Sequence, residues 1–364
     1  MKIALIGEYS GFHLELARGL ERLGHEAHVY SSGDDFKKIK STHAWIGPSE
    51  GYFELATNLF HNQPKLLRRI LADYDVVQFI NPDFVISPNH FTKQYLSYLL
   101  HGLKKAKAVK VLAVVGCDSR VLPILRDMPS SPCVGCLVDM KRATCHYAEE
   151  SRVARSNMLE DFVDVILPFG SAAYAGSYAH SVKNKPPIMF PIDLSKIRYQ
   201  SNNIKAGKIV VLHGLNRAGF KGTRKISAVF ARLAERFPDR FEFLLPDRLP
   251  FEKYIDLVYR ANVIVDQLHV DALGMNSLYS LATGRVLMTC HDKATNIGSV
   301  NLTESPAINV NDELSLERAL IEISEWSSDD FCRHGEIGRK YVVEHCAADK
   351  IAMEFMSVIN ARVS

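Results

Sequence analysis

Two cations and three glycines share a short turn in the second half of the chain. Residues 214–222 (GLNRAGFKG), beginning at Gly214, follow an apolar run and lead into a helical stretch at Thr223. Open α/β sheets bind ligands at the carboxyl ends of their strands, where glycines let the backbone approach closely. Arg217 offers a planar fork of donors and Lys221 a compact charge, so the pair is suited to a diphosphate. The alternative is an exposed basic loop, and the three glycines favour the diphosphate site.

A second candidate ligand site lies in residues 266–284 (DQLHVDALGMNSLYSLATG). Asp271 precedes Gly274, and a helix is predicted to begin near Met275, so the carboxylate would face the crevice above the strand ends. The backbone N–H groups of Gly274, Met275 and Asn276 would form a helix N-terminus and could contact a second phosphate. The side chain of Met275 shares helical spacing with two later leucines, which is typical of a core face.

The first turn of the chain carries a weaker glycine signal. Residues 7–11 (GEYSG) separate a predicted strand from a predicted helix, whose N-terminus favours negative charge. The spacing is not GxGxxG, so a dinucleotide site is not predicted. Gly11 is a candidate ligand contact, although turn geometry alone would also account for it.

Four cysteines form a possible metal-ligand set, namely Cys117, Cys133, Cys136 and Cys145. A CxxC pair with two further thiols suits tetrahedral zinc, and the same four could hold an iron–sulfur cluster. The alternative is four unlinked buried thiols. Residues 128–136 are rich in proline, serine and glycine, so a metal here would be structural rather than catalytic.

Short β-rich runs alternate with helical stretches, and the alternation occurs twice. The predicted strands are 2–6, 26–31, 76–80, 109–115 and 164–168, then 208–213, 241–245, 262–266, 285–289 and 307–310. The predicted helices are 13–23, 92–106, 148–162, 223–236, 251–260, 275–283, 314–325 and 349–362. Near-continuous apolar strands separated by helices indicate parallel sheets covered on both faces, an α/β fold. Three prolines and a polar, turn-rich run in residues 183–207 predict the linker between two such units.

Composition excludes several classes of protein. The chain has 364 residues, 47% hydrophobic and 23% charged, which is typical of two globular α/β units. A net charge of +3 gives no case for nucleic acid as a partner. No apolar run approaches the ~18 residues of a membrane span and no export signal is visible, so we expect a cytoplasmic protein. Its seven cysteines are then expected to be thiols or metal ligands rather than disulfides.

Positive residues cluster locally in three places. The clusters are Lys65, Arg68 and Arg69; Lys104, Lys105, Lys107 and Lys110; and Lys141 and Arg142. Solvated helix faces are the favoured interpretation, and a lipid- or phosphate-facing patch is the alternative. In the second case the protein would make peripheral contact with the inner face of the membrane.

Three segments together resemble glycosyltransferases of the GT-B fold, of the family-4 type that retains anomeric configuration. KIALIGEYSGFHLELARGLERLGHEAHVY is similar to the N-terminal strand, glycine loop and helix of that family, HGLNRAGFKGT to its Arg…Lys diphosphate loop, and DALGMNSLYSLATGRVLM to its donor-site segment. The resemblance touches most of the chain. It implies two Rossmann-like parallel-sheet domains facing across a cleft, residues 1–190 and 191–348, with a terminal helix in 349–364 that crosses back to the first domain.

The resemblance also implies roles for particular residues. Arg217 and Lys221 would hold the diphosphate of the donor, and Asp271 stands at the first glutamate position, near the transferred sugar. Tyr279 stands where the family has a second glutamate that grips the nucleotide ribose. The family's HGxD turn becomes Val115-Gly116-Cys117-Asp118, which replaces the histidine and keeps the carboxylate of Asp118.

The expected activity is transfer of a sugar from a nucleotide diphosphate sugar to an acceptor hydroxyl. Arg217 and Lys221 would stabilise the charge that develops on the departing diphosphate. No protein base is identified, and in retaining members of the fold the departing phosphate is thought to accept the proton. No catalytic metal is required, and the acceptor would be a saccharide or a lipid-linked molecule in surface glycan or glycolipid assembly. A nucleotide-sugar epimerase or hydrolase on the same fold and a non-catalytic binding protein are the alternatives.

Overall fold

Apolar strands build two separate parallel sheets. In this computed structural model the described residues are 1–46, 50–85, 87, 91–128, 130–204, 207–291, 296–298 and 300–363. The strands are β1 (Lys2–Ile6), β2 (Glu26–Ser31), β3 (His43–Ala44), β4 (Val76–Phe79), β5 (Val109–Val114), β6 (Val165–Pro168), β7 (Ile209–Leu212), β8 (Phe241–Leu244), β9 (Val263–Val265), β10 (Val286–Thr289), β11 (Asn296–Ile297), β12 (Val300–Asn301) and β13 (Ile308–Asn309). The first sheet has the order β3-β2-β1-β4-β5-β6 and the second β13-β10-β9-β7-β8, all parallel, while β11 and β12 form an antiparallel pair.

Helices cover both faces of each sheet. They are α1 (Phe12–Arg22), α2 (Tyr52–Thr57), α3 (Gln63–Asp73), α4 (Thr92–Leu103), α5 (Val121–Asp127), α6 (Pro132–Met140), α7 (Glu150–Phe162), α8 (Ala172–Ser177), α9 (Ala218–Lys221), α10 (Thr223–Arg236), α11 (Phe251–Arg260), α12 (Met275–Ala282), α13 (Glu313–Ser324), α14 (Ser328–His345) and α15 (Ala348–Val363). One π-helical turn, Asn58–Asn62, joins α2 to α3. Among the residues described, no helix is both long and apolar enough to cross a membrane.

The order of strands decides where a ligand can bind. In the first sheet β1 lies between β2 and β4, and in the second β7 lies between β8 and β9. In each sheet the chain therefore adds strands first on one side of the central strand and then on the other. A crevice opens at the carboxyl ends of strands where the direction reverses. The residues that follow β1, β7 and β9 are therefore placed to form a site.

The prediction of two Rossmann-like parallel sheets is confirmed, and each predicted strand is present within a residue or two of its expected ends. All eight predicted helices are also present. The two-residue edge strand β3, the β11–β12 pair and several helices, α14 among them, were not predicted. The division into domains 1–190 and 191–348 stays a prediction.

The terminal helix α15 lies against α1, beside the first sheet. Its buried residues Ile351, Phe355 and Ile359 join the same apolar cluster as Phe12 and Leu16 of α1. The chain thus crosses from the first half to the second near residue 192 and returns near residue 347. The two passages hydrogen-bond to each other, since the Ile192 N–H donates to the Cys346 carbonyl at 2.7 Å and the Ala348 N–H to the Ile192 carbonyl at 3.0 Å. Residue 364, the end of the predicted returning segment, lies outside the described residues.

The close approach of α1 and α15 depends on one glycine. A Cβ added to Gly19 would lie 2.1 Å from the carbonyl oxygen of Ala348, whereas one added to Gly102, exposed in α4, would meet nothing within 4 Å. We expect Gly19→Ala to lower the free energy of unfolding by about 1–3 kcal/mol, because the two backbones must separate. Gly102→Ala, the matched control, should be neutral or raise it by about 0.5 kcal/mol. Urea denaturation measures both values, and equal midpoints for the two variants would contradict this packing.

Candidate ligand site between the two sheets

A cavity of about 330 Å³ opens between the carboxyl ends of the two sheets. From the first sheet it is lined by side chains that include Tyr9, Ser10, Cys117, Tyr147 and Tyr174. From the second it is lined by side chains that include Asn216, Arg217, Lys221, Asp266 and Asn276. The cavity lies where the strand order predicts a crevice.

An ion pair forms the floor of this cavity on the side of the second sheet. Lys221, at the end of α9, donates to Asp266 at 2.8 Å, and Asp266 directly follows β9. Asp266 also accepts from Asn276 at 2.8 Å and from Ser277 at 2.7 Å. Burial alone would raise its pKa, but the Lys221 ammonium and these hydrogen bonds hold the pKa of Asp266 below its ordinary value. The carboxylate is therefore ionised and fixes the direction of the Lys221 ammonium.

The N-terminus of α12 points into the same cavity. Gly274, Met275 and Asn276 all line it, and no side chain caps the helix. Uncapped N–H groups at a helix N-terminus attract anions. A Cβ on Gly274 would meet open space, so the residue there does not have to be a glycine for steric reasons.

Tyr254 of α11 holds both turns of the second sheet in place. Its hydroxyl donates to the Asn276 side chain at 2.6 Å. A Cβ on Gly214 would lie 2.6 Å from the same hydroxyl, so only a glycine lets the loop pass this close. A glycine is therefore required at position 214 for steric reasons. Gly214 also lines a second, smaller cavity.

Arg217 is held at the opposite wall of the cavity. Its guanidinium lies 3.7 Å from the centre of the Phe220 ring and donates to the Cys117 sulfur at 3.3 Å, although Cys117 belongs to the first sheet's side. The helix α6 packs on the same loop, since a Cβ on Gly135 would lie 2.3 Å from the Gly219 carbonyl oxygen. The two predicted cations therefore converge on one cavity from two directions.

A smaller aromatic cavity of about 70 Å³ adjoins the first. Phe36, Phe251, Tyr254 and Tyr279 line it together with Gly214, Leu215 and Asp247. Aromatic walls with one carboxylate suit a flat, hydrogen-bonding ring. Lys221 and Asn276 line both cavities, so a single elongated ligand could occupy the two.

Tyr279 connects the donor-side helix α12 to the first sheet. Its ring lies 5.2 Å from that of Phe251, and its hydroxyl donates to the Ser10 carbonyl at 3.3 Å and to Glu15 at 3.5 Å. Gly11 has a φ of +89°, and a Cβ added there would lie 2.3 Å from the Tyr279 hydroxyl, so the turn requires a glycine. Its role as a ligand contact stays a prediction. Tyr279 also lines the smaller cavity, and its role at the nucleotide site stays a prediction.

Neither Asp271 nor Asp118 is among the described residues that line the cavity, and their catalytic roles stay predictions. Val270 and Ala272 line the cavity, whereas Asp271 between them is not among the described lining residues. Asp118 is buried and accepts from the Arg120 and Val121 N–H groups, both at 2.7 Å, and from the Tyr178 hydroxyl at 3.0 Å. These hydrogen bonds fix the Asp118 carboxylate at the start of α5, and its catalytic role stays a prediction.

The four cysteines approach one another without forming a preformed metal site. Burial, followed by the neighbouring thiols, raises the pKa of Cys133, and burial raises that of Cys136 to about 11 despite nearby Arg217. Within the described ranges, no three His, Cys, Asp or Glu side chains are placed to hold a metal ion. The zinc or iron–sulfur site at Cys117, Cys133, Cys136 and Cys145 therefore stays a prediction, which elemental analysis of the purified protein would check.

Glu8, in the first turn, makes the stability of the fold depend on pH. It is 1% exposed, and burial raises its pKa from 4.5 to about 8. Between these values the folded protein keeps a proton that the unfolded chain has released, so stability falls as pH rises from about 4.5 to about 8. We expect Glu8→Gln, which cannot ionise, to gain thermal stability relative to the unmodified chain as pH rises from about 5.5 to about 8.5. Melting curves across this range test it against the exposed control Glu54→Gln, and an equal response of both variants would contradict it.

The comparisons with known proteins establish the fold. No protein-family model matches the chain, and a search of curated proteins finds no match. Among solved structures, HepE from Anabaena in complex with UDP and glucose is 11% identical with a TM-score of 0.60, covering 99% of this chain and 100% of its own. The catalytic domain of starch synthase IV from Arabidopsis thaliana, bound to ADP and acarbose, is 10% identical with a TM-score of 0.58, covering 100% and 99%. Sucrose-phosphate synthase from Thermosynechococcus elongatus is 13% identical with a TM-score of 0.56, covering 99% and 98%.

These likenesses extend over both sheets and the returning helix, and the chain has the GT-B fold. At this level of identity the likeness concerns the fold. The assignment to the retaining family-4 type stays a prediction.

Proposed function

We propose that this chain transfers a sugar from a nucleotide diphosphate sugar to an acceptor hydroxyl. The observation that carries the proposal is the network of Lys221, Asp266 and Asn276 beside the uncapped N-terminus of α12. A lysine ammonium and helix N–H groups without a side-chain cap are suited to binding a diphosphate. The network stands at the carboxyl ends of β7 and β9, between two sheets that could enclose an acceptor.

The adjoining aromatic cavity supports a nucleotide as the donor's other half. Under this proposal the base would lie among Phe36, Phe251 and Tyr254, and the diphosphate would reach Lys221 and Arg217. The HepE structures contain UDP and glucose or UDP-glucose, and the starch synthase structure contains ADP. A nucleoside diphosphate is therefore the donor class that we propose for this chain.

The proposed chemistry relies on charge rather than on a protein base. As the sugar–phosphate bond breaks, negative charge grows on the departing diphosphate, and the fixed charges of Arg217 and Lys221 stabilise it. Asp266 keeps Lys221 oriented without needing to move. We propose retention of configuration, with the departing phosphate accepting the acceptor's proton.

The acceptor side is proposed to be the wall formed by the first sheet. Tyr9, Ser10, Tyr147 and Tyr174 line it and can donate or accept hydrogen bonds to hydroxyl groups. A saccharide or a lipid-linked acceptor fits this surface, in surface glycan or glycolipid assembly. With a lipid-linked acceptor, we propose that the protein works in the cytoplasm at the inner face of the membrane.

An epimerase or hydrolase would use carboxylates of the cavity as acids and bases. The carboxylates among the described lining residues, Asp34 and Asp266, are both paired with lysines, at 2.6 Å to Lys37 and 2.8 Å to Lys221. Paired carboxylates are poor proton donors at neutral pH. The transferase is therefore favoured over the epimerase and the hydrolase, and the binding protein is left to the experiment below.

The test is to incubate the protein with UDP-, GDP-, TDP- and ADP-sugars and measure nucleotide release with and without candidate acceptors. Release that depends on an acceptor supports the transferase. Release without an acceptor, or conversion of the nucleotide sugar with no release, would replace it with the hydrolase or epimerase. Binding of a nucleotide sugar without turnover under all conditions would leave a binding protein.

A further inference from the structure

The smaller, aromatic cavity has one carboxylate in its wall, and that carboxylate has no cation. Asp247 is the only acidic residue among the described residues that line this cavity. Within the described ranges its side chain makes no hydrogen bond and no ion pair. By contrast, Asp34 and Asp266, which line the larger cavity, are each paired with a lysine. The Asp247 carboxylate is therefore free to accept hydrogen bonds from a ligand.

The loop between β8 and α11 fixes the position of this carboxylate. Residues 245–250 (LPDRLP) follow β8 at its carboxyl end and place Pro246 and Pro250 on either side of Asp247. Proline holds its own φ near about −65°, so the loop has little backbone freedom. The adjacent cation, Arg248, lies with its guanidinium 5.4 Å from the centre of the Phe36 ring. The loop therefore presents the carboxylate to the cavity without pairing it with its neighbour.

The remaining walls of the smaller cavity are mostly aromatic or apolar. They include the rings of Phe36, from the first half, and of Phe251 and Tyr254, from α11, together with Leu215 and Leu249. Aromatic side chains hold a planar base by stacking, and stacking discriminates little between bases because every base has a π-face. Selection of one base must therefore come from polar groups of this cavity.

The residues shared by the two cavities indicate the direction in which a nucleotide would lie. Lys221 and Asn276 line both cavities, whereas Asp247 lines the smaller one alone. Under the proposed function the diphosphate lies at Lys221. The part of the donor that extends into the smaller cavity and toward Asp247 is then the base.

The hydrogen-bonding edges of the bases differ in how well they match a carboxylate. An ionised carboxylate only accepts hydrogen bonds. Guanine offers two adjacent donors, N1–H and the N2 amino group, which the two carboxylate oxygens can accept side by side. Uracil and thymine have one N3–H donor between two carbonyl oxygens, and adenine and cytosine place one amino donor beside a ring-nitrogen acceptor. With those four bases, one carboxylate oxygen would face an acceptor and be repelled by it.

We propose that the donor nucleotide carries guanine and that Asp247 selects this base by accepting hydrogen bonds from N1–H and from the N2 amino group. The inference rests on the proposed function, since it concerns the base of the same donor. Asp247 is exposed, so the cavity opens to solvent at this point and a two-ring base can extend to the carboxylate.

The experiment titrates the full chain with GDP, inosine diphosphate, UDP, TDP and ADP and measures each dissociation constant by calorimetry. Inosine diphosphate has the same two rings and the same N1–H as GDP but lacks the N2 amino group. We expect GDP to bind at least about tenfold more tightly than each of the other four, because each of them loses at least one charge-assisted hydrogen bond.

The variant Asp247→Ala removes both acceptor oxygens. We expect it to bind GDP at least about tenfold more weakly than the unmodified chain and to bind GDP and inosine diphosphate within about threefold of each other. The matched control is Asp256→Ala, since Asp256 is an exposed residue of α11 that is absent from the described lining of both cavities. It should keep the preference for GDP over inosine diphosphate, and melting curves confirm that both variants are folded.

The possible outcomes separate this inference from the proposed function. Equal affinity for GDP and inosine diphosphate, or tighter binding of UDP, TDP or ADP, would overturn guanine as the base and leave a nucleotide donor standing. A preference for GDP that survives in Asp247→Ala, or is lost equally in Asp256→Ala, would overturn the role of Asp247. Absence of binding by all five nucleotides would overturn the proposed function together with this inference.

Discussion

Lys221→Ala is expected to lower turnover of the nucleotide sugar by roughly 10²–10³-fold, because it removes a fixed positive charge from the point where charge develops. The same variant should lose thermal stability. The side chains of Lys221 and Asp266 are 13% and 5% exposed, and the substitution leaves a buried carboxylate without its cation. Breaking such a pair costs about 3–5 kcal/mol. Melting curves and nucleotide-release assays on the same preparation measure both effects.

A double variant separates the two roles of Lys221. In Lys221→Met/Asp266→Asn no buried charge remains, and the amide at position 266 can still bond to Asn276 and Ser277. We expect this variant to regain at least half of the lost stability and none of the lost turnover. Recovery of turnover together with stability would show that Lys221 only supports the fold.

Arg217→Ala is expected to lower kcat/KM by roughly 10- to 150-fold with a change in stability of about 1 kcal/mol or less. Arg217 is exposed and its contacts are the Phe220 ring and the Cys117 sulfur, so the fold loses little. A donor diphosphate would lose one charge-assisted contact. The kcat/KM of Arg217→Lys should lie between those of Arg217→Ala and the unmodified chain, since lysine keeps the charge and loses the planar fork.

The control for Arg217 is Arg224→Ala. Arg224 is also exposed and lies in the first turn of α10, but it is absent from the described lining of both cavities. Its replacement should leave kcat/KM within about twofold. Similar losses at positions 217 and 224 would mean that general positive charge, and not this site, attracts the donor.

The strands and helices of this chain can be predicted from the sequence where the spacing of apolar residues is typical of one kind of element. β1 (KIALI) and β7 (IVVL) are apolar on both faces, and a parallel sheet covered by helices requires that pattern. α14 escaped prediction because its apolar residues are sparse over eighteen residues, and two glycines, at 335 and 338, pack it on the α12 side of the sheet. Close backbone approach leaves no periodic signal in hydrophobicity.

The candidate site was partly predictable for a related reason. Arg217 and Lys221 stand together in one loop, and a single loop can be read locally. Asp266 was missed although it ends an apolar strand, since its meaning depends on Lys221, forty-five residues earlier. Asp271 is predicted from its place before Gly274 and from the resemblance, and its role stays a prediction. The contact of Tyr279 with Gly11 joins residues that are far apart in the sequence. A sequence motif within one segment cannot predict such a contact.

The two chain passages near residues 192 and 347 determine how the two halves of the molecule can be separated. Because the backbone joins the two halves twice, no single cut yields two complete modules. A protease that nicks the exposed chain near residue 201 would produce two bands on a denaturing gel, while the native particle would keep its size, held by the apolar seam of α1 and α15. A chimera that exchanges one half for that of a related enzyme must carry the terminal helix with the N-terminal piece it packs on, and needs two junctions instead of one.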